Sequence, residues 1–431
     1  MPVNTFAIGL ILGTFVFFLV IKTPISFALL ASSIITATYL EIPLMSIMVQ
    51  MVKGIHSSSL MAIPFFILAG EIMGQGGISR RIIALTQALI GRVRGGLAQV
   101  NIVASMFFGG ISGSAIADVS SIGSMMIPMM KDSGYDKDYS VNVTITSACQ
   151  GLIIPPSHNM IIFAASAGGV SVGRVFLAGM LPGILLGVAL MIVSYIIAVK
   201  RNYPKGEKVP LNVKLRVIWD AALGMMTAVI IILGVTGGVF TATESAAIAC
   251  LYAFIVTFFV YREIPLKAMS GILSNALKTL AMVLALLACS NTFAWLLAYL
   301  QVPALVTNAL LEISTNPVVV LLLINVLLLC LGCIMDMAPL IMITTPILLP
   351  VVTSLGMDPI QFGIMMILNL AIGLCTPPVG AVLFVGCSIG EISLEEAAKA
   401  LWPFYLVMIT ALMLITFVPQ ISLFLPNLLM P

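Results

Sequence analysis

Apolar residues run along this chain in long blocks with short polar punctuation. Phe6–Ile21, Val175–Val199, Ala221–Val235 and Ile248–Val260 approach or exceed the roughly 20 apolar residues that carry a helix across a bilayer. The pattern predicts an all-α polytopic membrane protein. Composition agrees: of 431 residues, 61% are hydrophobic and 8% charged, more apolar surface than a soluble core hides. The N-terminal MPVNTFAIG has no basic stretch, and Lys22 follows the first block, so Phe6–Ile21 reads as a retained span.

The blocks repeat at a constant offset of 222 residues. YLEIPL (39–44) recurs as YREIPL (261–266), and IPMMKDSGYD (127–136) as LPVVTSLGMD (349–358). GLIIPP (151–156) recurs as GLCTPP (373–378), and Ser171 pairs with Ser393. Two halves, residues 1–199 and 217–431, are joined by the basic linker 200–216 (KRNYPKGEKVPLNVKLR), which the positive-inside rule places in the cytoplasm.

Counting spans from that anchor predicts two inverted-topology repeats. Each holds a re-entrant helical hairpin (about 97–130 and 317–354) and a Pro-broken transmembrane helix (about 138–168 and 360–390). Residues 79–91 and 296–312 read as lateral helices.

The breaks carry the chemistry. Pro155 and Pro156 have no N–H to offer the carbonyls of Gly151 and Leu152, and Pro377 and Pro378 none for Gly373 and Leu374. An unpaired carbonyl in hydrocarbon costs on the order of several kcal/mol, so such backbone must be buried in protein or line a cavity. Two breaks at equivalent positions point to a binding site near the midplane. The hairpin tips, GGISGSAIAD (109–118) and GCIMDMAPL (332–340), supply the other wall, with Gly110 matched to Gly332 and Ser114 to Asp336. Carbonyls and hydroxyls with few fixed charges suit a hard cation such as Na⁺, and helix N-termini at the breaks favour an anionic group.

Charge, cysteines and histidines narrow the picture only by exclusion. The net charge of +3 resides between spans and implies no nucleic-acid partner. Cys330 and Cys333 form a lone CxxC, read as helix packing, and the only histidines are His56 and His158. No nucleophile–base pair, metal-ligand cluster or phosphate loop appears, so neither an enzyme nor an organic cofactor or transition metal is expected. Other polar positions carry two readings each. His158 either touches substrate or is a hydrogen-bonded structural histidine. Asp118 is either a functional intramembrane acid or a group paired within its hairpin. Glu244, in FTATESAA (240–247), reads as a helix-start cap. Ser57–Ser59 and Ser290–Asn291–Thr292 either line the cavity or pack.

GGISGSAIAD, IPMMKDSGYD and LIIPPS together resemble the large membrane (M-type) subunit of TRAP (tripartite ATP-independent periplasmic) transporters, as do IPFFILAGEIM (63–73), FTATESAA and GLCTPPVG (373–380). The likeness covers nearly the whole chain. It implies an elevator-type, Na⁺-coupled importer of organic acid anions in the bacterial inner membrane. Such a subunit works with a small four-helix membrane subunit and a periplasmic substrate-binding protein. Carried over, the implied Na⁺ contacts are Ser112, Gly113, Ser114, Gly151, Leu152 and Pro155 in the first half. In the second half they are Gly332, Asp336, Gly373, Thr376 and Pro377. The candidate substrate contacts are Pro156, Ser157, His158, Ser290, Asn291 and Pro378. Where the family often has an apolar residue and Pro after PPS, this chain has His158 and Asn159. A sialic acid-type sugar acid and a C4-dicarboxylate both stand as substrate classes. The alternative is a self-sufficient Na⁺/dicarboxylate symporter or ion antiporter of similar design.

Overall fold

The computed structural model describes residues 4–57, 60–206, 209–314 and 316–430. Among them there is no sheet, only an isolated bridge between Arg94 and Lys205. Helices α1 (Thr5–Val20), α2 (Ile25–Tyr39) and α3 (Leu44–Ile55) lead to α4 (Ala62–Gln75) and α5 (Ile78–Ile90), which meet at 68°. The first hairpin is α6 (Gly96–Ser112), a short α7 (Ala115–Asp118), a π-turn at Val119–Gly123 and α8 (Ser124–Asp132). A broken pair, α9 (Lys137–Gly151) and α10 (His158–Ser166), follows. Next come α11 (Val172–Lys200), α12 (Leu211–Thr236), α13 (Ala242–Ile255), α14 (Met269–Tyr299) and α15 (Val302–Ile313). The second hairpin is α16 (Pro317–Gly332) and α17 (Met337–Ser354), and the second broken pair is α18 (Pro359–Leu374) and α19 (Ala381–Gly390). Helices α20 (Leu394–Ala400), α21 (Trp402–Phe417) and α22 (Pro419–Leu429) close the chain.

Five of these helices are long and apolar enough to cross a membrane, or up to seven if each bent pair counts as one span. The outer surface is apolar, with Phe6, Trp219 and Leu233 exposed, as lipid requires. Helix α1 keeps the 16-residue length read as Phe6–Ile21, about 24 Å, and starts one residue earlier. Two boundaries differ from the sequence reading. Helix α12 begins at Leu211, inside the basic linker, because LNVKLR continues the helix once Pro210 has turned the chain. Residues 296–299 belong to the long α14, so the separate helix starts at Val302, after Gln301 takes a left-handed φ of 58°.

Helices α9 and α18 form the centre. From Tyr139 to Gly151 every side chain of α9 is buried, although the segment is rich in Ser, Thr, Asn and Gln. Its hydroxyls return to the preceding turn: Thr144 donates to Ser140 O at 2.7 Å and Thr146 to Asn142 O at 2.7 Å. Its amides tie neighbours, Asn142 Nδ2 to Ala397 O at 3.0 Å and Gln150 Nε2 to Gly183 O at 3.1 Å. Helix α18 does the same through Gln361 Nε2 to Ile415 O at 2.9 Å and Asn369 Nδ2 to Asn325 O at 2.9 Å. Amide donors thus hold helix to helix where apolar contact with lipid would serve equally well, while Asn142 Oδ1, Gln150 Oε1 and Asn369 Oδ1 accept no hydrogen bond among the described residues. Glu244 completes a capping box with Thr241 at the start of α13, as its reading as a cap anticipated.

Candidate functional site

The first tip is a tight reversal. Helix α6 stops at Ser112, Gly113 takes φ 64°, a region costly for other residues, and Ser114 caps α7 by accepting from Ala117 N at 3.3 Å. At the first break, α9 ends in short turns: Ile153 N donates to Gln150 O at 3.1 Å and Ile154 N to Gly151 O at 3.3 Å. Pro155–Pro156 follows as a cis peptide, and α10 restarts at His158. Tip and break touch through backbone. A Cβ on Gly109 would lie 2.5 Å from Gly151 Cα, and one on Gly110 2.9 Å from Pro155 O. Asn159 Nδ2 completes the seam by donating to Gly113 O at 3.3 Å.

The second assembly has the same plan. Helix α16 ends at Gly332, and Asp336 caps α17 by accepting from Met337 N at 2.8 Å. Helix α18 ends with Cys375 N donating to Ile372 O at 3.1 Å and Thr376 N to Gly373 O at 2.9 Å, before a second cis peptide at Pro377–Pro378. A Cβ on Gly373 would fall 2.5 Å from the carbonyl carbon of Gly332, and Val379 N donates to Cys333 O at 3.2 Å. Gly332 therefore plays the role of Gly109 and not of Gly110. The loop past Gly332 carries Cys333, Ile334 and Met335 before the cap, one residue out of register with the first tip.

One expectation is corrected. The carbonyls of Gly151 and Gly373 are not vacant, because tightened turns give them the N–H groups of Ile154 and Thr376. Those of Leu152 and Leu374 accept no hydrogen bond among the described residues. Leu152 and Leu374 both line a cavity of about 1100 Å³, together with Ser112, Ser114, His158, Asn159 and Asp336. Both tips and both breaks thus face one space. Its far wall comes from α2, α4, α5 and α14, with Glu71, Arg80 and Thr279 among the lining residues. Asp336 is exposed there, and His158 makes no side-chain hydrogen bond among the described residues, which favours its cavity reading over the structural one.

The remaining predicted residues fall into two groups. Gly113, Gly151, Pro155, Pro156 and Ser157 are buried in the first seam, Gly332 and Gly373 in the second, whereas Pro377 and Pro378 are exposed and Thr376 is half-buried. Thr376 Oγ1 donates back to Ile372 O at 2.8 Å. Ser290 and Asn291 do not reach the cavity. Asn291 Nδ2 donates to Gln50 O at 2.8 Å and packs on Gly54, so it locks α14 to α3, and Ser290 is buried. Of Ser57–Ser59, Ser58 and Ser59 lie outside the described residues.

Several site residues had no obvious sequence signal. Ser105 and Ser147 each stand one helical turn before a crossing glycine, and Ser147 Oγ reaches Ser105 Oγ at 3.3 Å. The i, i+4 spacing of Ser105 to Gly109 and Ser147 to Gly151 would have marked them. Cys149 and Cys375 bring their thiols to 2.9 Å between the two broken helices. Arg80 is the only Lys or Arg among the residues lining the cavity. Next to it, Arg81 is spent on Glu263 at 2.6 Å and on the ring of Tyr261.

At the linker end of the bundle, Arg201 bridges Asp136 and Asp138, each at 2.9 Å, and Tyr203 donates to Asp136 Oδ2 at 2.7 Å. Burial pushes the Asp138 carboxyl up, but the hydrogen bond and charge of Arg201, with local backbone N–H groups, outweigh it and leave it below the ordinary value of 3.8.

Comparison with known proteins adds an independent line. Residues 12–421 match the family model described as "Tripartite ATP-independent periplasmic transporter, DctM component". The chain is 43% identical to the uncharacterized protein YgiK of Salmonella typhimurium over 99% of this chain and 98% of that one. It is 38% identical to the sialic acid TRAP transporter large permease protein SiaM of Vibrio cholerae, over 88% of each. It is 35% identical to the C4-dicarboxylate TRAP transporter large permease protein DctM of Rhodobacter capsulatus, over 97% of this chain and 99% of that one. Among solved structures, the YdaH transporter of Alcanivorax borkumensis shares the fold at a TM-score of 0.63 and 14% identity, covering 86% of this chain and 88% of that one.

Proposed function

Because the chain belongs to the DctM component family of the tripartite ATP-independent periplasmic transporters and is an integral membrane permease, we propose that it carries an organic acid anion inward, coupled to Na⁺. In this reading it is fed by a periplasmic substrate-binding protein and works beside a small four-helix membrane subunit. The observation that carries the reading is the pairing of two Pro-broken helices with two glycine crossings around one cavity, each break leaving a leucine carbonyl unspent. Na⁺ is bound at the two crossings. Ser105, Ser147, Ser112 and the Leu152 carbonyl serve the first; the Leu374 carbonyl, Thr376 and the Gly332–Cys333 turn serve the second. Non-helical backbone of this kind suits a weakly held hard cation.

The substrate occupies the cavity between the tips, where His158, Asn159 and Ser114 offer polar contacts. Relatives are named for sialic acid and for C4-dicarboxylates, which share a carboxylate. Arg80, free of any ion pair among the described residues, is the counter-charge that the cavity offers it. The two hairpins with their broken helices move as one body against the remaining helices, in an elevator-type cycle. Co-reconstitution in proteoliposomes with both partner proteins tests the proposal, using a panel of sugar acids and dicarboxylates. Uptake should require a Na⁺ gradient and the binding protein. Equal uptake in K⁺, or uptake by the chain without its binding protein, would sink it and favour a self-sufficient carrier.

A further inference from the structure

Resting on the sodium reading, the question is what balances the charge of an ion held at the first crossing. Asp118 closes α7 in the first hairpin with 0% of its surface exposed. Among the described residues it is the only Asp, Glu, Lys or Arg that is buried. No hydrogen bond of ordinary length reaches either carboxylate oxygen there, although the Ser105 hydroxyl stands beside it as a donor. A buried carboxylate is tolerated when it is paired, and no Arg, Lys or His pairs with this one.

Its surroundings say what the missing partner is. Ser105 and Cys149 stand beside Asp118, from α6 and α9. Ser105 Oγ meets Ser147 Oγ at 3.3 Å, and Ser105 O lies 2.9 Å from where a Cβ on Gly151 would sit. Two hydroxyls, a carbonyl and a carboxylate therefore gather where α6 crosses α9. These oxygens with one negative charge fit a hard cation of single charge, while the neighbouring Cys149 thiol is taken up by Cys375 Sγ at 2.9 Å. The second crossing lacks this group. The residue at the matching offset, Leu340, is apolar and 2% exposed, and Asn369, one turn before Gly373, is uncharged and donates its Nδ2 to Asn325.

We propose that Asp118 is the fixed counter-charge of the cation at the Gly109–Gly151 crossing, a buried charge with no equivalent at the matching position of the second half. The test is thermal unfolding of the purified full-length chain as NaCl replaces choline chloride at constant ionic strength, read for the half-saturating Na⁺ concentration. Asp118→Asn keeps the shape and removes the charge, and should raise that concentration at least about tenfold. Asp118→Leu, which copies Leu340, should lose the same response while melting in Na⁺-free buffer at or above the wild-type temperature, since an unpaired buried charge has been removed. The same half-saturating concentration in wild type and in either variant that folds overturns the assignment. A wild-type chain that Na⁺ stabilises no better than choline overturns the sodium reading, and this inference with it.

Discussion

The two tip-and-break assemblies share a backbone plan and differ in what surrounds it. Each brings a hairpin glycine against a glycine at a helix end, and each ends that helix with a short turn before a Pro-Pro pair. At the first, Pro155, Pro156 and Ser157 are buried, hydroxyls flank the glycines, and a carboxylate lies alongside. At the second, Pro377, Pro378 and Val379 are exposed, an amide pair flanks the glycine, and the acid, Asp336, faces the cavity. A repeated main-chain device can thus be fitted with different side chains. Ion binding and substrate access need not be shared equally between the halves.

The largest effect is expected from filling the crossings. Gly109→Ala or Gly373→Ala would drive a methyl into backbone that has no room to yield, at a cost of about 3 kcal/mol, and should abolish uptake. Gly9→Ala and Gly13→Ala, where a Cβ meets nothing within 4 Å, are the controls and should leave melting and uptake intact. If Gly373→Ala is tolerated and Gly109→Ala is not, the second crossing is the looser of the two.

Charge in the cavity comes from both halves as well, Glu71 and Arg80 from one and Glu263 and Asp336 from the other. Arg80→Gln should raise the KM for the anion about tenfold with the maximal rate largely kept, as expected from loss of one charged contact. Arg80→Lys should recover part of it. An unchanged KM in the glutamine variant would remove Arg80 from the substrate path. A smaller effect is expected at the tip: Ser114→Ala forfeits the cap on α7, about 1 kcal/mol, and should weaken Na⁺ activation of uptake more than it lowers the melting temperature. Equal Na⁺ activation in this variant and wild type would confine Ser114 to capping.

The smallest effect lies at the linker end. The Asp138 carboxyl titrates below its ordinary value, so its contribution is fully present above about pH 4. It is lost as the pH falls through the lower folded-state value. The pair with Arg201 is partly exposed, so Asp138→Asn should cost under about 1 kcal/mol at neutral pH and flatten the acid limb of the melting profile. A mutant whose melting temperature falls with acid as steeply as the wild type's would assign that limb to other carboxylates.

Much of the fold was legible because the signals are covalent and local. Proline lacks an N–H wherever it stands, so both breaks and their hairpins could be located within a few residues. The second hairpin, read as about 317–354, is Pro317–Gly332 with Met337–Ser354. The Glu244 cap was equally readable, being a four-residue pattern. Reading by offset alone paired Gly332 with Gly110, because a one-residue difference in tip length leaves no mark in a repeat that is otherwise in register. It also placed Ser290 and Asn291 at the site, because polarity in an apolar helix does not say which neighbour absorbs it, and for Asn291 Gln50 does.

By itself the sequence determined that this chain spans a membrane, where its helices break, and that the breaks come in a pair. Each of these follows from hydrophobic length or from a missing N–H. Only the tertiary structure decided which carbonyls stay unspent, that Ser105 meets Ser147 beside one crossing with Asp118 buried next to Ser105, and that Arg80 faces the common cavity. Those are facts of convergence between segments far apart in the chain, set by how helices cross rather than by any residue's neighbours in sequence.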